Sequence, residues 1–477
     1  NTKAQWSDGK PVTADDYQFT LDFMRSSHIV DHKHNNYYTE EISKIVIHAP
    51  DVISVVTTKR HTKNSLLLKT SISPTHKDFH KLDKNWVQNY NWKIEPTTGP
   101  YILSSFKYGQ FIIFEKNKNW WAKDLKYRKN TFNFDRLNLK VIRDTDSIWQ
   151  HFLSGKLTQH HLTLSDLWHN KGKGDVFDKG YIKKLWIYTD VPHGAQILFI
   201  NKTRKPWDDI NVRKAFAHAL NFNKVNQDLL RSEYERVSAF YVGYDGYDNT
   251  YVKAREFDIA KATELMKQAG YRLGRDGYWQ KNSQKIQAKI LYISQYHENR
   301  LVLLREEAKK AGFDIVLNYQ QHSAGYKQRN EKKFDITWGG FGVSRLPPPS
   351  YWAYFHSENA KPQTNNLTMT AEPKLDKLID LYRNTYDEQQ KQDLSHQILQ
   401  FIHDDAAFIP GLKNPFLRVA YWRYMMLPDV PGLKTGPNIL AYGWIDERAK
   451  KELEEYQKQG KSFGPSVTID QTFRVKD

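Results

Sequence analysis

The chain has 477 residues, with 71 Lys and Arg against 54 Asp and Glu for a formal net charge of +17, and its side chains are 39% hydrophobic and 14% aromatic. That length corresponds to about three compact units, and the apolar content suits a packed core rather than disorder. No cysteine is present, which excludes disulfide scaffolds, thiolate metal sites and thiol nucleophiles, and no apolar run approaches the length of a membrane-spanning helix.

In chain order, Thr13 followed by Asp16 gives a capping-box start, after which Tyr17, Leu21 and Met24 share one helical face. The helix is expected to end near the polar run SSHIVDHKHNN (26–36). The β-rich runs ISKIVIH and VISVVTT, separated by Ala49-Pro50-Asp51, read as a hairpin, and a second hairpin is expected from Tyr101 to Glu115 with Tyr108-Gly109-Gln110 at its tip. Asp146 or Ser147 is expected to cap a short helix that stops at Gly155.

Further helices are expected over 208–221, and from a cap at Asp258 to a stop at Gly270. Asp276-Gly277 marks a turn. The series KIQAKILYI, NRLVLLREEAKKAG and FDIVLNY reads as β-α-β, which places the chain in the α/β class. Helices follow from Pro373 to Tyr386, from Gln389 to about Phe401, and from Asp446 to Lys458. There is no internal repeat.

The charge excess invites a nucleic-acid reading, but Lys and Arg are scattered and often sit beside Asp or Glu, as in REEAKK and KKELEE. This describes solvated helix faces and argues against a nucleic-acid stripe. GKSFG (460–464) matches G-x-S-x-G, yet a charged helix precedes Ser462 and no histidine follows His403, so no nucleophile elbow is expected. His28 and His32 beside Asp31 are weighed as metal ligands and read instead as a polar helix-to-loop segment. No catalytic residue, metal site or cofactor is expected.

Five ordered segments resemble the dipeptide/oligopeptide-binding class of solute-binding proteins that feed ABC importers. They are WSDGKPVTADDYQFTLDF (6–23), TTGPYILSSFKYGQFIIFEKNKNWW (97–121), FINKTRKPWDDINVRKAFAHALN (199–221), FDIAKATELMKQAGY (257–271) and IPGLKNPFLRVAYW (409–422). KYRKNTFNFDRL (126–137) is similar to the Yej-type branch. The resemblance implies an α/β, two-lobed periplasmic-binding-protein fold of mixed sheets flanked by helices, with an additional small α/β subdomain. The expected boundaries are 1–95 for the small subdomain, 96–195 for the first lobe, 196–420 for the second lobe and 421–477 for the return to the first lobe. Because members of the family carry a signal peptide and further strands ahead of their WSDG motif, the resemblance also implies an incomplete first lobe preceding Asn1.

By that resemblance the function is capture of an oligopeptide or peptide-like solute in an interlobe cleft, by hinge closure, by a periplasmic, non-enzymatic monomer. Delivery would be to ABC transporter permease subunits in the inner membrane. An oligosaccharide receptor of the same fold is the alternative. Ligand contacts are expected from loops at element ends: Tyr292, Gln295 and Tyr296; Trp338, Phe341, Ser344, Arg345 and Trp352; and Phe416 and Trp422. The family's peptide binders often carry an aspartate three residues after an aromatic in this glycine-rich loop, where this chain has Ser344 followed by Arg345. The expected partner of Arg345 is a carboxylate of the solute. The crossing strands are expected near Tyr188 to Ile200 and near Phe416 to Tyr424.

Overall fold

The structure is a computed structural model that describes residues 1–29, 32–61, 63–190, 194–340, 350–429 and 438–474. At its start, the Asp16 carboxylate accepts the Thr13 backbone N–H at 2.8 Å and so closes the expected capping box of the helix Ala14–Arg25. That helix lays Leu21 against Tyr38, Ile42 and Ile45. The strands Ile42–Ala49 and Val52–Thr57 form the first antiparallel hairpin. A meander of Tyr101–Lys107, Phe111–Lys116 and Arg136–Lys140 makes a separate three-stranded sheet.

The meander is tied to both neighbours. Ser7 and Thr97 exchange backbone and hydroxyl hydrogen bonds at its base, and the Phe132 N–H donates to the Ala441 carbonyl at 2.6 Å. The strands within 101–140 thus form a sheet of their own, and the next strand, Gln159–His161, belongs to a separate four-stranded sheet.

The first lobe is a four-stranded mixed sheet in the order Val467–Asp470, Ile182–Tyr188, Phe416–Trp422, Gln159–His161. Asp144, rather than Asp146 or Ser147, caps its helix Thr145–Leu153 by accepting the Ser147 N–H at 2.6 Å. The extended backbone of Asp144 is what lets its side chain fold over the first turn.

The second lobe is a five-stranded sheet in the order Asp314–Tyr319, Gln287–Tyr292, Ile336–Gly339, Ile197–Ile200, Phe408–Pro410. Its first three strands are parallel, and the expected β-α-β series closes through the helix Glu298–Lys310. Of the two aspartates at 208 and 209, Asp209 caps the helix Ile210–His218; Asp258 caps Ile259–Gln268 as expected, and Gly270 takes a left-handed φ of +79° at the stop. The helix Glu388–Asp405 is longer than expected at its C-terminal end.

Two chain segments cross between the lobes side by side. Tyr188 pairs with Phe416 in the first-lobe sheet, and Ile197 pairs with Pro410 in the second. Between these pairs, Thr189 N–H donates to Pro415, Gln196 N–H to Leu412, and Gly411 N–H to Gln196. The return to the first lobe thus occurs over 411–415. Beyond them, Phe416–Trp422 pairs along its whole length with Ile182–Tyr188.

Candidate functional site

A cavity of about 430 Å³ lies between the small subdomain and the second lobe. The first hairpin delivers one wall. Glu41 sits immediately before its first strand, and Lys59 and His61 follow its second. The short turn Tyr37–Glu41 adds Tyr37, whose hydroxyl donates to the Lys69 carbonyl at 2.6 Å; burial pushes its pKa up to about 12. The second lobe supplies Tyr241, Ser350, Tyr351 and Trp352, Tyr382 and Arg383 at the end of the helix Pro373–Asn384, and Lys391 on the helix Glu388–Asp405.

The two walls meet at Glu41. Its carboxylate lies 3.1 Å from the Lys69 ammonium, 3.4 Å from the Arg383 guanidinium and 3.7 Å from the His61 ring. Burial alone would raise the Glu41 pKa, but Lys69, Lys59 and Arg383 together hold it below the usual carboxylate range. Arg383 also lies over the Trp352 ring, 4.7 Å from its centroid, so the stacked pair is held from one side by a carboxylate. Tyr351 is fully buried and shares a 2.5 Å hydrogen bond with Ser395, while the Tyr241 hydroxyl donates to the Ser350 carbonyl at 2.9 Å. These bonds fix the segment 350–352 on the second lobe. Glu41 Oε2, His61 Nε2 and Trp352 Nε1 are buried with no hydrogen-bond partner among the described residues, an arrangement that costs free energy unless a bound group or water answers it.

Of the residues expected from sequence, Trp352 lines this cavity. Tyr292, Trp338, Phe416 and Trp422 do not line it: they are between 2% and 5% exposed and pack in the main core. Trp338 lies against Phe222 and His297, Phe416 against Trp186, Tyr188 and Tyr234, and Trp422 donates its indole N–H to the Phe152 carbonyl. Tyr296 lines a second, smaller cavity between the lobes and is 38% exposed there, while Gln295, beside it on the same turn, does not line it. Phe341, Ser344 and Arg345 lie outside the described residues.

Sequence reasoning missed Glu41, Lys59, Arg383 and Lys391. The usable signal was the basic cluster Lys59-Arg60-His61 directly after an apolar strand, which composition alone presents as ordinary solvated charge. Among the described residues, no helix is long and apolar enough to cross a membrane and no group of three or more His, Asp or Glu is placed to hold a metal ion.

The model of the bacterial extracellular solute-binding proteins, family 5 Middle, matches residues 1–363. A curated relative from Agrobacterium fabrum, named "Probable peptide-binding protein YejA", is 22% identical over 470 residues, covering 89% of this chain and 75% of that one. The oligopeptide-binding protein AppA of Bacillus subtilis, solved with a nonapeptide, superposes with a TM-score of 0.76 at 19% identity, over 93% of this chain and 85% of that one. NikZ of Campylobacter jejuni, solved with Ni(L-His), gives a TM-score of 0.75 at 18% identity, over 92% and 83% of the two chains. A periplasmic oligopeptide-binding protein of Thermotoga maritima, solved with mannohexaose, gives 0.73 at 18% identity, over 88% and 79%. At these identities the solved structures establish a shared two-lobed fold.

Proposed function

Since the chain belongs to family 5 of the bacterial extracellular solute-binding proteins, we propose that it captures an oligopeptide or peptide-like solute and hands it to the permease of an ABC importer. It would act as a periplasmic monomer, by binding alone and without a chemical step. The observation that carries this reading is the composition of the cavity between the small subdomain and the second lobe. Its wall combines aromatic faces from Tyr37, Tyr241 and Trp352 with charged groups of both signs. Aromatic faces suit the side chains of a peptide, and fixed charges suit its termini.

Arg345 remains a proposed contact. In sequence it stands between Gly340 and Ser350, and Ser350 lines the cavity. The relative named as a peptide-binding protein and the neighbour solved with a nonapeptide support the peptide class. The neighbour holding mannohexaose favours the sugar alternative, but sugar rings stack on open aromatic faces, and here Arg383 already covers one face of Trp352.

Native mass spectrometry of freshly purified protein tests the reading directly. A co-purifying series separated by amino-acid residue masses is the expected result. A series separated by hexose masses would replace the peptide reading with the sugar one, and calorimetry against a mixed tripeptide library without any heat of binding would count against peptides altogether.

A further inference from the structure

The charges on the cavity wall do not balance. Four cations, Lys59, Lys69, Arg383 and Lys391, face two carboxylates, Glu40 and Glu41. The carboxylates are already engaged, Glu41 with Lys69 and Arg383 and Glu40 with Arg383 at 3.7 Å. Lys391 is 5% exposed and its ammonium donates to the carbonyls of Tyr382 and Thr385, at 2.6 and 3.0 Å. Those neutral acceptors take two of its three hydrogens and bring no negative charge, while Glu388 and Glu41 act on it only from beyond ion-pair distance. Among the described residues no carboxylate pairs with Lys59, which is half-buried on the opposite wall. Two positive charges are therefore in excess where burial makes an unpaired charge costly. The titration of both lysines agrees with this: burial pulls Lys391 down to about 8, and burial together with Arg383 pulls Lys59 below its ordinary value.

We propose that this cavity selects solutes carrying a carboxylate, and that Lys59 of the small subdomain receives it opposite Arg383 and Lys391 of the second lobe. The inference rests on the cavity being the solute site and deepens that reading by assigning the solute's charge. It also gives the small subdomain a role, since the cation with no close carboxylate among the described residues comes from the chain just beyond its hairpin. The carboxylate has two sources in a peptide, the C-terminus and an acidic side chain. A charge-assisted contact in a partly desolvated site is strong enough to discriminate between solutes, and no described carboxylate lies within ion-pair distance of Lys59, Glu41 and Glu40 acting on it only from farther off.

The test uses the full chain and Lys59→Met, which keeps the aliphatic stem and breaks no close ion pair among the described residues. Calorimetry compares a tripeptide of alanines as free acid, its C-terminal amide, and the amide with a central glutamate, while thermal shift with glutarate reads the carboxylate site without any peptide. The expected result is at least tenfold weaker binding of the free acid by Lys59→Met, little change for the neutral amide, and loss of the glutarate shift. Retained binding of the glutamate-containing amide, with loss of the plain amide, assigns the carboxylate to a side chain; the reverse dependence on the free terminus assigns it to the C-terminus. If Lys59→Met matches the wild type with every carboxylate probe, the charge assignment is overturned while peptide binding stands. If no peptide binds but glutarate still protects through Lys59, the peptide reading falls and the carboxylate site remains.

Discussion

The carboxylate of Glu233, on the second lobe just beyond the helix Phe222–Leu230, stands 2.6 Å from the guanidinium of Arg418 on the first-lobe strand Phe416–Trp422. Arg418 is fully buried, with its guanidinium 3.6 Å from the Trp186 ring centroid. Glu233 also accepts the Ser165 hydroxyl at 2.6 Å and pairs with the His169 ring at 2.5 Å, both from the first lobe. Four groups from two lobes thus converge on one buried charge pair, which forms a latch beside the crossing segments. Removing one partner of such a pair leaves the other charge uncompensated. Glu233→Gln is expected to lower the unfolding free energy by about 3 to 5 kcal/mol, read by urea denaturation. Adding Arg418→Met should restore part of the loss, because the thioether side chain can pack on Trp186. Wild-type stability in Glu233→Gln would show that the pair holds nothing.

The elements on either side of this latch were legible in the sequence, because caps and periodicity are local. Asp209 and Asp258 precede their helices by one residue, and the hairpin at Pro50-Asp51 declares itself over about fifteen residues. The cavity was not legible in this way, since Arg383 meets Glu41 across 342 positions and neither residue differs locally from a solvated charge. Phe416 and Trp422 were singled out for a related reason. Their strand is buried on both faces, and an aromatic in a buried strand has the same sequence appearance as one lining a cleft.

Acid should weaken the fold through one buried and one half-buried histidine. His160 is 9% exposed between Trp149 and Phe152, and burial, with the neighbouring His161, pulls its pKa down to about 4. His297 packs on Trp338, and burial with the nearby Arg300 holds it at about 4 as well. The unfolded chain takes up these protons near pH 6.5, so it binds more protons than the folded chain between about pH 6.5 and 4. Stability is therefore full above that window and declines as pH falls through it. With allowance for partial solvent screening, each histidine should cost on the order of 1 to 2 kcal/mol by pH 5. His160→Gln should flatten the pH dependence of the urea midpoint between 7 and 5; a wild-type midpoint that stays constant over that range would contradict both assignments.

Gly180 holds the C-terminal tail against the first lobe. Its φ is +68°, and a Cβ there would collide with the Gly464 carbonyl oxygen. The contact lies between two tethers, Phe463 N–H to the Lys179 carbonyl at 2.9 Å and the Tyr181 hydroxyl to the Lys461 carbonyl at 2.6 Å. Gly180→Ala combines left-handed strain of about 1 to 2 kcal/mol with displacement of the tail that leads into the edge strand Val467–Asp470. The expected outcome is a lower melting temperature together with faster tryptic cleavage at Lys458 and Lys461. Gly464→Ala is the control, because it carries a positive φ of +79° with no atom within 4 Å of its added Cβ; it should pay the strain without releasing the tail. Equal cleavage in the two variants would remove the steric part of the argument.

The crossing segments 189–196 and 411–415 predict the axis of any closing motion. Their described residues are bonded to each other, Thr189 to Pro415 and Gln196 to Leu412 and Gly411, so a closing motion is expected to turn about these paired positions. The Glu233–Arg418 ion pair at 2.6 Å also joins the two lobes beside these segments, so its removal should make opening easier. Small-angle scattering should therefore give a smaller radius of gyration with saturating ligand than without it, and Glu233→Gln should enlarge the ligand-free form while leaving the liganded form close to wild type. Gly411→Ala supplies the complementary perturbation. Its Cβ would stand 2.5 Å from the Gln196 carbonyl oxygen, which forces the two segments apart at these paired positions and should alter both forms. An identical radius of gyration with and without ligand, in wild type and Glu233→Gln alike, would mean that the lobes are fixed and that solute enters by another route.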